Sequence, residues 1–495
     1  MQLKRGSGIL LHITSLPSPY GIGTMGREAY RFIDFLHRSG QRYWQMLPLG
    51  PTSVGDSPYQ SFSSYAGNPY FIDLDLLAEE GLLHKEEIEA VDWGDDPGTV
   101  DYGILYSNRE PLLRKAFLRH QMNPKEDWLL FRQRNCHWLR DYSLFMALKV
   151  HFSMVSWLDW EDRDIRLRRP EAMMRYRSEL AEEIEFQEFV QFTFSDQWDR
   201  LKAYGKRRGI DLIGDLPIYV SLDSADVWTY PEGFQLDEEG RPLEVGGVPP
   251  DYFSATGQLW GNPLYNWETM AADGYEWWMK RIAATAKKYD AIRIDHFRGL
   301  ESYWSVPYGE PNAINGQWKK GPGMTFVSRV KERFPQTLFI AEDLGILTEE
   351  VHQLLSDSGF PGMRVLQFAF DSGADCCHLP HTYPENCIVY TGTHDNNTLR
   401  GWLNEAGEEA SAFARAYFRL DGTEDPVWRI IRNAMASVAD LCIVPVQDYL
   451  GLSKTARMNT PSTMEGNWRW RLLPGRLTDD MAAEILDLAV TYKRR

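Results

Sequence analysis

Asp295 in Arg293-Ile294-Asp295-His296-Phe297-Arg298-Gly299, Glu342 in Ala341-Glu342-Asp343-Leu344-Gly345 and Asp395 in Thr393-His394-Asp395-Asn396-Asn397 each follow a short apolar run that reads as a β-strand. One acid so placed reads as a helix cap or a solvated group. Three of them, at the ends of strands that one fold can gather, read as chemistry: a pair of carboxyl groups facing one bond is what cutting a glycosidic linkage requires. Asp215, in Gly214-Asp215-Leu216-Pro217-Ile218-Tyr219-Val220, is a fourth strand-end acid, for which a structural role and a substrate contact both fit.

Side-chain alternation along a strand assigns roles within these runs. Arg293 and Asp295 point to one face, Ile292 and Ile294 to the other, towards a helix layer. A guanidinium beside Asp295 favours the ionised carboxylate that a nucleophile needs. Leu338, Ile340 and Glu342 share a face, so Glu342 emerges beyond an apolar layer that raises its pKa and keeps it protonated as a general acid. His296 and His394 adjoin the acids and read as hydrogen-bond donors to sugar hydroxyls. Tyr59, Tyr252, Phe253 and Trp260 lie in Gly/Pro/Asn-rich segments, where flat rings beside polar side chains suit pyranose rings.

Eight apolar runs, each followed by loop residues, are the elements that must hold these groups: Gly8–Thr14, Tyr43–Leu49, Asp211–Val220, Ala291–Phe297, Leu338–Leu344, Met363–Phe370, Asn386–Thr393 and Leu441–Val446. Helical patterns lie between them. Arg27–Ser39 sets Tyr30, Ile33 and Leu36 along one stripe and stops at Gly40; Thr348 can cap a helix that Gly359 ends. Strand–helix alternation repeated eight times predicts an α/β fold, a (β/α)8 TIM barrel forming a single catalytic domain over 1–495. The surplus length predicts insertions, the largest between the second and third strands: an inserted helical subdomain at approximately 70–205. An inserted active-site loop region follows at approximately 221–265.

The chain of 495 residues has 53 Lys and Arg against 70 Asp and Glu, a net charge of −17, which argues against nucleic acid and anionic membranes as partners. It shows no export signal and no run of eighteen apolar residues. Five cysteines, Cys136, Cys376, Cys377, Cys387 and Cys442, lack metal-like spacing and fit reduced thiols in the cytoplasm. No metal site and no cofactor is expected: the acids are dispersed, and no Gly-x-Gly-x-x-Gly fingerprint follows a strand.

The three acid-bearing segments resemble the signature regions of the amylomaltase family, the disproportionating enzymes or 4-α-glucanotransferases of the α-amylase clan. The likeness extends to Ser7–Pro17, Gly55-Asp56-Ser57-Pro58-Tyr59-Gln60, Gly214–Val220, Pro249–Tyr265 and Asn459–Trp468. It implies transfer of α-1,4-glucan segments to the 4-hydroxyl of glucose or another glucan by a retaining double displacement. Asp295 would be the nucleophile, Glu342 the acid/base, and Asp395 the residue that distorts the bound sugar and stabilises the transition state. It further implies Tyr59, Asp215, Asp251, Trp260, Arg293, His296 and His394 as substrate contacts. The alternative is an α-amylase-like retaining hydrolase, which shares the covalent intermediate; the loops Pro249–Tyr265, Pro307–Gly323 and Met458–Trp468 are expected to exclude water and favour transfer. The chain departs from the family at Pro461-Ser462, where the family often has glycine after proline, and looks like the short form of the family.

Overall fold

The computed structural model describes residues 4–250, 254–345, 347–370, 376–463 and 465–495. All eight expected strands form: Gly6–Leu10, Tyr43–Gln45, Asp211–Leu216, Ala291–Ile294, Leu338–Ala341, Gly362–Val365, Cys387–Tyr390 and Leu441–Pro445. They pair in parallel in the order sixth, seventh, eighth, first, second, third, fourth, fifth. The ring closes between the fifth and sixth strands where Ala341 N–H donates to Pro361 O at 2.9 Å. Most of the strands stop short of the apolar run that predicted them. After the second strand, Leu47 and Leu49 stay buried while making no ladder, as do Ile218, Tyr219 and Val220 after the third. Apolar composition reports burial, and here the chain is still buried as it turns across the barrel mouth.

The barrel interior is one apolar layer that includes Leu10, Tyr43, Ile213, Ile340, Met363, Ile388 and Ile443. The alternate residues Ile9, Trp44, Leu212 and Val444 pack outwards in one helix-facing cluster, and Ile292 and Phe339 in another. Gly8 is needed where strands crowd, because a Cβ there would stand 2.6 Å from Tyr43 O and 2.8 Å from Ile443 Cδ1. The first helix, Arg27–Arg38, buries Phe32, Ile33, Phe35 and Leu36, each contributing about 1.5–3 kcal/mol of apolar transfer, and Gly40 follows it at φ +66. Tyr30, expected on the same stripe, is half-buried and packs edge-on to Tyr204. Thr348 stands at the N-cap of Glu349–Ser358 with its side chain hydrogen-bonded to the Glu350 carboxylate rather than to a backbone N–H, and Gly359 (φ +68) ends the helix as expected.

Between the second and third strands run the long helices Tyr102–Met122, Asp127–His151 and Ala181–Arg207, whose Phe117, Trp128, Phe186 and Phe189 share a core with the barrel's helix layer. Within 221–265 the chain is not irregular throughout. Glu244–Val248 and Gln258–Pro263 join Ser302–Pro307 and Gln317–Lys320 in a four-stranded antiparallel sheet. Its strands escaped the sequence reading because Gly246, Gly247 and Pro263 and the polar run Gln317-Trp318-Lys319-Lys320 lack strand-like composition. No helix among the described residues is long and apolar enough to cross a membrane.

Candidate active site

Asp295 is the first residue past the fourth strand, and its N–H donates to Leu216 O of the third at 3.0 Å. Arg293, two residues earlier on the same face, sets Nη1 at 2.9 Å from Asp295 Oδ1 and at 2.8 and 2.6 Å from the two oxygens of Asp215. Tyr59 O–H donates to Asp215 Oδ2 at 2.7 Å. Arg293 and Asp215 are 5% and 2% exposed, whereas Asp295 keeps 26% of its side chain open to the mouth. Asp215 therefore orients Arg293 and Tyr59 from behind. Burial alone would lower the Arg293 pKa, but Asp215 and Asp295 outweigh it and hold the guanidinium well above its usual range.

Glu342 follows the fifth strand and is fixed by its neighbours' backbone. Its Oε2 accepts from His296 N at 2.6 Å, and its Oε1 from Leu344 N at 2.8 Å. His296 reaches this position only in the left-handed region, at φ +50. Burial raises Glu342 to about 7; Arg293 opposes that shift and the charge of Asp295 adds to it. Burial also raises Asp295, to about 6, with Arg293 opposing and Asp215 adding. The expected guanidinium is in place and does favour the ionised form of Asp295, but its charge is shared with Asp215 and desolvation, which the sequence reading did not weigh, wins.

Asp395 reaches the same mouth from beyond the seventh strand. Its Oδ1 accepts from Asn459 Nδ2 at 2.6 Å, and its Oδ2 lies 3.3 Å from His394 Nε2. Burial pushes Asp395 up, but the charge and hydrogen bond of His394 overcome it and leave the carboxyl at about 2; reciprocally His394 is raised although burial lowers it. His394 stacks on Tyr59 with ring centres 5.2 Å apart. A continuous chain of contacts thus runs Asp395, His394, Tyr59, Asp215, Arg293, Asp295, and Glu342 joins it at the residue after Asp295, through the N–H of His296.

Trp260, on the antiparallel sheet, meets His296 edge-on at 4.9 Å. Burial lowers His296 to about 3, so the ring is neutral, and its Nε2 is buried without a protein partner, an orientation ready for a ligand hydroxyl. Of the sequence-predicted residues, Asp251, Tyr252 and Phe253 lie outside the described residues, while Tyr59, Asp215, Trp260, Arg293, His296 and His394 gather around the acids. The sequence reading singled out the segments that hold His12, Asn459 and Trp468 without giving these side chains a role, and it passed over Arg457. Arg457 donates to Asp395 O at 2.5 Å and to Asn459 O at 2.7 Å. Trp468 packs within 6.0 Å of the rings of Tyr59 and His394, and His12 lines a small pocket with His394 and Arg457. Asn459, Trp468 and His12 sit in aperiodic segments, which was the available signal; Arg457 carried none.

Residues 11–477 match the family profile described as 4-alpha-glucanotransferase. The chain belongs to that family. It is 48% identical to the 4-alpha-glucanotransferase of Clostridium butyricum over 98% of this chain and 100% of the relative. It is also 48% identical to that of Thermus thermophilus over the full length of both. The amylomaltase of Streptococcus agalactiae, solved in complex with acarbose, superposes with a TM-score of 0.97 at 43% identity, covering 99% of this chain and 100% of that one. Amylomaltase from Corynebacterium glutamicum shares the fold, with a TM-score of 0.77 at 18% identity over 99% of this chain and 75% of that one. At the position where this family often has glycine, Ser462 adopts φ +64. The serine therefore takes a left-handed conformation at a cost of about 1–2 kcal/mol, partly offset because glycine loses more chain entropy on folding. Ser462→Gly should raise unfolding stability by about 0.5 kcal/mol without changing the chemistry, read from denaturant midpoints.

Proposed function

We propose that Asp295, Glu342 and Asp395 carry out 4-α-glucanotransfer on α-1,4-glucans by a retaining double displacement. Glu342 gives its proton to the glycosidic oxygen as an Asp295 oxygen attacks the anomeric carbon. The bond to the leaving 4-hydroxyl breaks and a β-glycosyl ester on Asp295 forms. Glu342, now a carboxylate, takes the proton of an incoming 4-hydroxyl, whose oxygen displaces Asp295 and restores the α-configuration. Asp395, kept ionised by His394, provides the negative charge that opposes the positive charge developing on the sugar ring. Tyr59, Trp260, Arg293, His296 and His394 line the sugar's surroundings.

The observation that carries this reading is the pair at the ends of adjacent strands: a carboxyl whose protonation burial favours, Glu342, beside a carboxylate paired with Arg293. Incubation of the pure protein with maltotriose tests it. Glucose together with maltooligosaccharides longer than the donor is the expected product set; shorter sugars without any lengthening would establish a hydrolase instead.

The two shifts also set the pH dependence. Transfer requires Asp295 ionised and Glu342 protonated. The rate should fall below about 6 as Asp295 takes up a proton and above about 7 as Glu342 loses one. The kcat/KM profile for maltotriose is then a narrow bell whose two apparent constants belong to the pair. A rate that stays flat well into alkaline pH would contradict the assignment of Glu342 as acid.

A further inference from the structure

The outer face of the antiparallel sheet carries an aromatic row that the reaction does not use. Pairing sets Trp318 opposite Trp304, Trp304 opposite Gly247, and Gly247 opposite Leu259. Directly opposed residues share a face, so the row crosses all four strands, roughly 14 Å at ordinary strand spacing. Trp318 is 43% and Leu259 38% exposed, and Trp304 is half-buried. The other face of the same sheet looks into the barrel mouth: Tyr303 and Ser305 are buried there, and Trp260 reaches His296.

The row is held rigid. The Arg298 guanidinium lies 3.9 Å over the Trp318 ring, Trp304 meets Trp318 edge-on at 5.2 Å, and Trp304 Nε1–H donates to Ala313 O at 2.9 Å. A ring so fixed loses little freedom on binding, and its open side is an apolar plate. The lysines alongside are already neutralised, Lys319 by Glu244 and Lys320 by Glu301, so the patch is not tuned for an anion. What suits a rigid apolar plate with a charge-balanced polar border is a neutral ligand with flat apolar faces and a hydroxyl rim. Leu259 and Trp260 are consecutive residues on opposite faces of the edge strand, so a chain lying along the row can pass over that edge towards the cleft.

We propose that the Trp318–Trp304–Leu259 row is an auxiliary binding site for the chain of a long α-1,4-glucan, outside the catalytic cleft. This rests on the glucan reading above and adds a second place where polymer is gripped. Short donors, which fill only the cleft, do not use it; polymers do.

The test compares wild type with Trp318→Ala, Trp318→Tyr and Leu259→Asp. Mobility is read in native gels containing amylopectin, and initial rates with maltotriose and with amylose. Trp318→Ala should weaken retardation in the gel and raise KM for amylose by about three- to tenfold, leaving kcat/KM for maltotriose unchanged. Trp318→Tyr keeps a plate and should retain most of the retardation. Leu259→Asp acts at the far end of the row without touching the Arg298 contact, so it reports even where Trp318→Ala does not fold. Equal effects on both donors, no effect on either, or a self-association lost in the variants by sedimentation would overturn the proposal. Should wild type fail to lengthen maltotriose, the catalytic reading falls on its own, and gel retardation still reads the row.

Discussion

Asp295→Asn should lower kcat for glucan transfer by on the order of 10⁵-fold while the folded structure and the affinity for maltooligosaccharides persist. The amide has the shape of the carboxylate but cannot form the glycosyl ester. Arg293 would not be stranded, because Asp215 still accepts from its Nη1 at 2.8 and 2.6 Å, so the buried cation keeps its main counter-charge. The loss is therefore one of chemistry, and rate and binding should separate cleanly. Glucose release from maltotriose gives kcat, and titration calorimetry with maltoheptaose gives affinity. A variant retaining activity within roughly 100-fold of wild type would show that another group attacks the anomeric carbon.

For Glu342→Gln the size of the loss should depend on the leaving group. With maltotriose the departing 4-hydroxyl needs a proton, and kcat should drop by about 10³- to 10⁴-fold. With α-maltosyl fluoride the fluoride leaves without one, so the first step survives. The second step then lacks its base, because glutamine cannot take the acceptor's proton, and the ester on Asp295 should accumulate. Intact-mass spectrometry would show the protein carrying one maltosyl group. Glutamine also preserves one of the two backbone contacts, since its carbonyl oxygen can still accept from His296 N or Leu344 N. Equal losses with both donors and no adduct would remove Glu342 from the acid/base role.

Much of this site was readable before any coordinates. An acid directly after an apolar run is conspicuous, and the two-residue period of a strand puts Arg293 beside Asp295 and Glu342 beyond Ile340, as found. What alternation cannot supply is the balance of free energies at the site. Arg293 favours the ionised Asp295 as expected, yet that guanidinium divides its charge between two carboxylates while Asp295 and Glu342 are both desolvated, and burial dominates. The antiparallel sheet was also illegible, because strands with glycines and charged residues do not look like strands; Glu244–Val248 is stabilised by partners 57 to 63 residues away in sequence as well as by its neighbour Gln258–Pro263.

Composition and periodicity by themselves determined the number of barrel strands, which acids stand at their ends and which side chains share a face, because strand geometry is local and repeats every two residues. Only the tertiary structure decided that Asp395 joins Asp295 through His394, Tyr59, Asp215 and Arg293, with Glu342 held beside them by the N–H of His296. It also decided that Arg457 fastens Asp395 and Asn459 together, and that burial raises Asp295 as well as Glu342. Those outcomes depend on distances between segments far apart in the chain and on how much water each group loses, quantities that exist only once the barrel has closed.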